Sequence, residues 1–151
     1  MGETETTLES SSVRILLVED FKPYRSLVLS LLSRNPDLNL TCEVEDGLEA
    51  VAQAQQVKPD VILLDISLPR LNGLEAARQI SGLVPSAKIV FLTQEMDVDV
   101  VKEAFSLGAW GYVLKQDAET DLLSAVAAVV RGRQFVSRGL GYRFHTRNAP
   151  D

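Results

Sequence analysis

Disulfide-forming cysteines, long apolar runs and a secretory leader are all missing from this sequence. Cys42 is its only cysteine, so no internal disulfide can form. No apolar run approaches the roughly 18 residues that a transmembrane helix needs. Residues 1–12 lack the basic and apolar regions of a secretory signal. These absences predict a cytoplasmic protein with no membrane partner.

An excess of positive charge is also missing. The net charge of -6 argues against nonspecific DNA binding by the chain as a whole, because neutralising phosphates requires clustered lysine and arginine. Residues 135–151, by contrast, are predicted to form a basic tail or linker. Its aromatic residues could stack on nucleic acid, but Gly139 and Gly141 favour a linker whose aromatics pack back on the domain. The C-terminal end holds one acid, Asp151, against five arginines: Arg131, Arg133, Arg138, Arg143 and Arg147.

The length of 151 residues fits one domain with one hydrophobic core. Residues 1–12 are rich in Glu, Thr and Ser and cannot bury enough apolar surface to offset the entropy of ordering them. We therefore predict a disordered leader at residues 1–12, a domain at residues 13–134 and the basic tail after it.

Short apolar runs alternate along the domain with amphipathic stretches. Several runs are continuously apolar, which is typical of a parallel sheet covered on both faces. Five alternations predict an α/β fold of the doubly wound (βα)5, flavodoxin-like class, with a five-stranded parallel sheet of order 2-1-3-4-5 and helices on both faces. The predicted strands are Val13–Val18, Leu38–Val44, Val61–Leu64, Lys88–Leu92 and Tyr112–Leu114. The predicted helices cover residues 22–34, 47–57, 74–83, 97–107 and 118–131, with Asp97 and Asp117 as candidate caps or first-turn acids.

The carboxyl ends of the predicted strands carry the candidate functional residues. In open parallel sheets, ligands bind at these ends, near the point where the strand order reverses. Glu19 and Asp20 follow strand one, Asp65 follows strand three and Lys115 follows strand five, while Thr93 follows strand four. The sequence therefore predicts three carboxylates, a hydroxyl and an ammonium in one crevice.

This set of side chains suits phosphoryl chemistry. Three clustered carboxylates repel one another, and a hard divalent cation such as Mg²⁺ relieves the repulsion. A phosphoryl group on Asp65 would then meet the metal, the point charge of Lys115 and the hydroxyl of Thr93. Asp65 is the predicted nucleophile and would form an aspartyl phosphate.

Four stretches of the sequence resemble the response-regulator receiver domains of two-component signalling. The resemblance covers about residues 13–134, and its details are most similar to the receiver half of NarL/FixJ-type transcription regulators. Each stretch alone is a weak signal, but all four in order at these spacings are highly specific. They are ILLVED at 15–20, VILLDISLPRLNG at 61–73, VFLT at 90–93 and GAWGYVLK at 108–115.

The resemblance implies a role for each position of the crevice. Asp65 corresponds to the phosphoacceptor, and its donor would be a sensor histidine kinase or a phosphotransfer protein. Asp20 is expected to bind the Mg²⁺ cofactor directly and Glu19 mainly through water, with Asp65 itself and the backbone carbonyl of Ser67 as further ligands.

The resemblance also implies a switch formed by Thr93 and Tyr112. As the hydroxyl moves toward the phosphoryl group, the aromatic ring is expected to swing inward and alter the face made by helix four, strand five and helix five. Phosphorylation is expected to promote a homodimer or partner binding, through either the helix-four to helix-five face or the helix-one and helix-five face. No turnover of a free substrate is expected. DNA binding is expected only through an output domain.

Two features depart from the family pattern. Gln94 stands where the family usually has a small residue, which is expected to narrow access for the phosphoryl group and change its lifetime. The chain after helix five is also too short for the DNA-binding domain of NarL/FixJ regulators. The sequence is therefore interpreted as a single-domain regulator or as part of a longer one.

Other readings compete with the switch. The acids after strand one would repel a dinucleotide, and an Asp-nucleophile phosphatase would need a general acid at position 67, where the chain has Ser67. A degenerate receiver that binds partners without phosphorylation is a remaining alternative. Tyr112 could simply pack on helix four, and Trp110 could lie in the core or anchor a partner.

Overall fold

The structure is a computed structural model, and it describes residues 12–140. Nearly all of the predicted leader, residues 1–12, and the last part of the predicted tail, including Tyr142 and Phe144, lie outside the described residues. Within 12–140, no helix combines the length and the apolar character required to cross a membrane.

The predicted α/β class is confirmed, and all strands of the sheet are parallel. Within residues 12–140, five α-helices and one 3-10 turn connect six strands. The strands are β1 (Val13–Val18), β2 (Leu38–Val44), β3 (Val61–Leu64), β4 (Lys88–Thr93), β5 (Gly111–Leu114) and β6 (Phe135–Val136). The helices are α1 (Lys22–Leu32), α2 (Gly47–Val57), α3 (Gly73–Leu83), α4 (Val98–Ser106) and α5 (Ala118–Val130), and the 3-10 turn Lys115–Asp117 precedes α5.

The predicted number of five strands is wrong by one. The sheet has the order β2-β1-β3-β4-β5-β6, so the predicted order 2-1-3-4-5 holds and a sixth strand extends it. Phe135–Val136 pairs with Gly111 and Tyr112 of β5. The sequence analysis predicts a tail from residue 135 and so misses this strand, since two residues carry no periodic pattern that a strand prediction can detect.

The core forms two layers, one on each face of the sheet. Strand β3 shows this most clearly, because all four of its side chains are fully buried. Ile62 and Leu64 pack in the cluster on one face, and Val61 and Leu63 pack in the cluster on the other. Alternate side chains point to opposite faces of a strand, so a continuously apolar strand must be covered by helices on both sides.

Side-chain caps fix the starts of three helices. Asp46, Asn72 and Asp97 each accept a hydrogen bond from a backbone N–H in the first turn of α2, α3 and α4, which satisfies donors that the helix leaves open. The prediction of Asp97 as a cap is confirmed. Asp117 makes no such cap for α5, and its carboxylate instead accepts a hydrogen bond from the hydroxyl of Ser137.

Candidate functional site

The strand ends meet as expected at the reversal of strand order between β1 and β3. Glu19 follows β1, Asp65 follows β3 and Lys115 follows β5. The Lys115 ammonium bridges the two acids: Nζ lies 2.8 Å from Oε1 of Glu19 and 2.9 Å from Oδ2 of Asp65. Three residues distant in sequence therefore form one charge-assisted cluster at the carboxyl edge of the sheet.

Glu19 is the most deeply buried member of this cluster, with 1% of its surface exposed. Burial raises the pKa of its carboxyl, and the hydrogen bonds from Lys115 and from the backbone N–H of Phe21 oppose that rise. The pKa of the Lys115 ammonium is also raised, since its hydrogen bonds to Glu19 and Asp65 together outweigh the opposite effect of burial. The cluster is thus held together by mutual charge compensation in a poorly solvated place.

Asp65 has both carboxylate oxygens engaged. Oδ1 accepts a hydrogen bond of 2.7 Å from the backbone N–H of Ile66, while Oδ2 faces Lys115. The following loop passes so close to α3 that a Cβ at Gly73 would lie 2.0 Å from the carbonyl oxygen of Asp65, and the Gly73 N–H donates to the carbonyl of Ile66 at 2.7 Å. A glycine at position 73 therefore sets where the Asp65 backbone sits.

The predicted acidic metal site has its carboxylates in place. Oxygens of Glu19, Asp20 and Asp65 all lie within 4.8 Å of one another. Asp20 is exposed, whereas the other two acids are buried. An all-oxygen donor set with this much negative charge fits a hard divalent cation of the Mg²⁺ type.

A cleft of about 220 Å³ lies beside Asp65. Ser67, Thr93, Gln94 and Glu95 line it together with Asp65. Thr93 is buried, and its hydroxyl oxygen accepts a hydrogen bond of 3.4 Å from the backbone N–H of Glu95. The predicted hydroxyl and the exposed Ser67 thus share one opening with the predicted nucleophile, and Gln94 forms part of its wall.

Tyr112 does not line this cleft but is joined to it through Glu95. Its ring is fully buried and points inward, with its centroid 6.0 Å from that of Phe91. The phenol donates a hydrogen bond of 2.9 Å to the carbonyl of Glu95, and burial raises the pKa of the phenol. Since Glu95 also donates its N–H to Thr93, two hydrogen bonds connect the Thr93 hydroxyl with Tyr112.

Sequence reasoning missed Tyr24 and Arg25 on the first turn of α1. The Tyr24 hydroxyl donates to the carbonyl of Lys115 at 2.9 Å, and its ring centroid lies 4.6 Å from the Lys115 ammonium. Arg25 donates to the carbonyl of Glu19 at 2.9 Å. The sequence signal that could have found them is their position shortly after Glu19-Asp20, because this places the first turn of α1 beside the crevice.

Trp110, which the sequence allows either in the core or as an anchor for a partner, is half-buried. Its ring lies 4.4 Å from the ammonium of Lys88, and its side chain packs against the core cluster that also contains Val113 and Val129. This arrangement is a cation–π contact at the edge of the core.

Comparison with known proteins agrees with the predicted resemblance. Residues 15–127 match the family model of the response regulator receiver domain. The chain is 35% identical over 125 residues to the uncharacterized transcriptional regulatory protein YxjL of Bacillus subtilis, covering 83% of this chain and 57% of YxjL. It is 31% identical over 129 residues to the transcriptional regulatory protein DegU of Brevibacillus brevis, covering 85% of this chain and 55% of DegU. The chain thus spans a little over half the length of these relatives.

Solved structures give the same result at the level of the fold. A two-component response regulator of the LuxR family from Aurantimonas sp. SI85-9A1 superposes with a TM-score of 0.86 at 29% identity, covering 91% of this chain and 99% of that one. The response regulator domain of Thermotoga maritima CheB superposes with a TM-score of 0.74 at 27% identity, covering 80% of this chain and 97% of that one.

Proposed function

The chain belongs to the response regulator receiver domain family, and on that premise we propose that it is a phosphorylation-activated signalling switch with Asp65 as the phosphoacceptor. The observation that carries the proposal is the placement of Lys115, whose ammonium lies 2.9 Å from Oδ2 of Asp65 in the crevice at the strand ends. The same crevice offers three carboxylates that fit a divalent cation and a cleft leading to the Asp65 carboxylate.

The proposed reaction is transfer of a phosphoryl group to Asp65. A carboxylate oxygen forms a bond to phosphorus, the bond between phosphorus and the nitrogen of a phosphohistidine donor breaks, and the electron pair leaves with the imidazole. Lys115 is already placed to meet the negative charge that then moves onto the phosphoryl oxygens. Thr93, at the wall of the same cleft, supplies a hydroxyl donor.

Glu19, Asp20 and Asp65, with the backbone carbonyl of Ser67, are the residues that would hold Mg²⁺. When bound, this ion supplies positive charge that offsets the three carboxylates and the oxygens of the incoming phosphoryl group. Glu19 and Asp65 also contact Lys115, so the ammonium offsets part of the negative charge of these two buried acids.

The output is proposed to run through Thr93 and Tyr112. If the Thr93 hydroxyl turns toward a phosphoryl group, it gives up its bond to the Glu95 N–H, and the loop that carries the Glu95 carbonyl is free to move. That carbonyl is the acceptor of the Tyr112 phenol, so the change reaches the face formed by α4, β5 and α5. The switch is a population shift between two arrangements of this loop.

The proposed partners follow from this chemistry. A sensor histidine kinase or a phosphotransfer protein delivers the phosphoryl group, and phosphorylation promotes a homodimer or contact with another protein. DNA binding belongs to an output domain such as those of transcriptional regulators. Apart from its own slow dephosphorylation, the domain is proposed to turn over no substrate.

The proposal is tested by incubating the protein with acetyl phosphate and Mg²⁺ and separating phosphorylated from free protein on a phosphate-affinity gel. Wild type should give a shifted band that needs Mg²⁺, and Asp65→Asn should give none. Ser67→Ala, which leaves the backbone carbonyl in place, serves as the matched control and should still shift. The absence of a shifted band in wild type at every time point, including the earliest quench, would reject the proposal.

A further inference from the structure

We propose that Tyr24 is a positioning residue that holds the Lys115 ammonium against Asp65. The inference rests on the proposed function, because Lys115 is the group that meets the phosphoryl charge there. It assigns a task to an α1 side chain that is neither the proposed phosphoacceptor nor a proposed metal ligand.

Tyr24 contacts Lys115 at both ends of the lysine. Its hydroxyl donates a hydrogen bond of 2.9 Å to the backbone carbonyl of Lys115. Its ring centroid lies 4.6 Å from the ammonium at the tip of the same side chain, which is within cation–π range. Burial raises the pKa of the phenol, so the hydroxyl stays protonated and remains a donor. One side chain thereby holds both the backbone of Lys115 and the ammonium at the tip of its side chain.

Lys115 needs such a constraint because a lysine side chain is long and flexible. Its ammonium has Glu19 and Asp65 on one side and the Tyr24 ring on another. A second cleft, of about 290 Å³, lies beside this lysine and is lined in part by Tyr24, Phe21 and Gln94. Removing the ring would enlarge that cleft and give the ammonium a second place to lie, away from Asp65.

Packing alone is the competing explanation, since Tyr24 also lies against the core cluster on one face of the sheet. Packing predicts that substitutions at position 24 change stability without acting through Lys115. Positioning predicts that they slow phosphorylation only while Lys115 is present. Leu27 provides a control, because it is another partly buried α1 residue packed on the same cluster.

The test measures the rate of phosphorylation by acetyl phosphate at saturating Mg²⁺. Tyr24→Phe, which keeps the ring and loses the hydrogen bond, should be slower by about five-fold, the usual worth of one such bond. Tyr24→Leu, which loses the ring contact as well, should be slower by about ten- to thirty-fold. Leu27→Ala should lower the melting temperature but leave the rate within about two-fold.

A double-mutant cycle separates positioning from packing. In the Lys115→Ala background, Tyr24→Leu should slow the reaction no further. A further loss of the same size there would overturn the proposal, and so would wild-type rates in both Tyr24 variants. If Tyr24→Leu does not fold, the same cycle is measured with Tyr24→Phe.

An NMR measurement makes the inference independent of the reaction. The Lys115 ammonium should give a side-chain signal protected from solvent exchange in wild type, and Tyr24→Leu should lose that protection. If wild type accepts no phosphoryl group, the proposed function fails, while this signal still decides the role of Tyr24. Unchanged protection in Tyr24→Leu would reject the positioning role even if Asp65 is phosphorylated.

Discussion

The hydroxyl of Ser137 lies 3.0 Å from Oδ2 of Asp121, and both side chains are buried. The same hydroxyl lies 2.7 Å from Oδ2 of Asp117, so one serine joins two carboxylates at the start of α5. The backbone N–H of Arg138 also donates to Asp121 at 3.0 Å. These contacts fasten the residues that follow β6 to the start of α5.

Ser137→Ala should therefore destabilise the domain by about 1–3 kcal/mol, because it removes the hydroxyl partner of the buried Asp121 carboxylate. Urea denaturation measures the loss. Ser124→Ala, at an exposed serine of α5, is the control and should stay within about 0.5 kcal/mol of wild type. Equal midpoints for the two variants would mean that the network contributes nothing.

Gly73→Ala should destabilise by about 2–3 kcal/mol or prevent folding, since its Cβ would lie 2.0 Å from the Asp65 carbonyl oxygen. Any folded fraction should also lose phosphorylation, because the backbone of Asp65 must move. Gly82→Ala is the matched control in the same helix, with nothing within 4 Å of its Cβ. That control should stabilise the protein by about 0.5–1 kcal/mol. Thermal unfolding measures both variants, and an equal change in stability for the two would contradict the account.

Lys115→Met should raise the pKa of the Glu19 carboxyl in the metal-free protein. Burial already raises that pKa above its usual value of 4.5, and the hydrogen bond from Lys115 is the largest influence that lowers it. A raised folded-state pKa means that the folded protein binds this proton more tightly than the unfolded chain does. The free energy of unfolding of the variant should therefore fall as pH rises from 4.5 through the folded-state pKa of Glu19.

NMR of the side-chain carboxyl carbon in ¹³C-labelled glutamate, followed from about pH 4 to about pH 7, measures this titration directly. Glu75, whose pKa is lowered to about 2 by its hydrogen bonds to Arg78 and Gln79, serves as an internal reference and should not respond to the substitution. A Glu19 signal that titrates identically with and without Lys115 would contradict the ion pair.

Tyr112→Phe removes only the hydrogen bond to the Glu95 carbonyl and should cost about 1 kcal/mol of stability. Its more specific effect should be on the relay. Amide hydrogen exchange of residues 94–97 should change on phosphorylation of wild type, and the change at α4 and β5 should be reduced in the variant. Identical exchange changes in both proteins would show that the phenol takes no part in the relay.

Much of the fold was predictable because its strands are short, apolar and separated by clear helix patterns. Val61–Leu64 was predicted with its exact bounds, since a fully buried parallel strand is continuously apolar. The meeting of Glu19, Asp65 and Lys115 followed from one rule, that the carboxyl ends of parallel strands share an edge. The order of the first five strands followed with the fold class.

The parts that were missed depend on contacts distant in sequence. Tyr24 reaches a carbonyl 91 positions away, and a helix pattern records only that it lies on a buried face. The sequence suggests Asp117 as a cap, but its carboxylate instead accepts a hydrogen bond from the hydroxyl of Ser137, 20 positions further on. The two-residue strand β6 lies after α5 in a segment whose arginines and glycines indicated a linker. Pairwise tertiary contacts of this kind leave no periodic trace in one sequence.

Asp65 as the phosphoacceptor is the central claim, and intact-mass spectrometry with fragment mapping tests it most directly. Wild-type protein treated with acetyl phosphate and Mg²⁺ should gain about 80 Da, the mass of one phosphoryl group, located on the peptide that contains Asp65. Chelation of Mg²⁺ or the substitution Asp65→Ala should abolish the gain. An adduct of the same mass on Asp65→Ala, or no adduct in wild type quenched at the earliest time, would contradict the account.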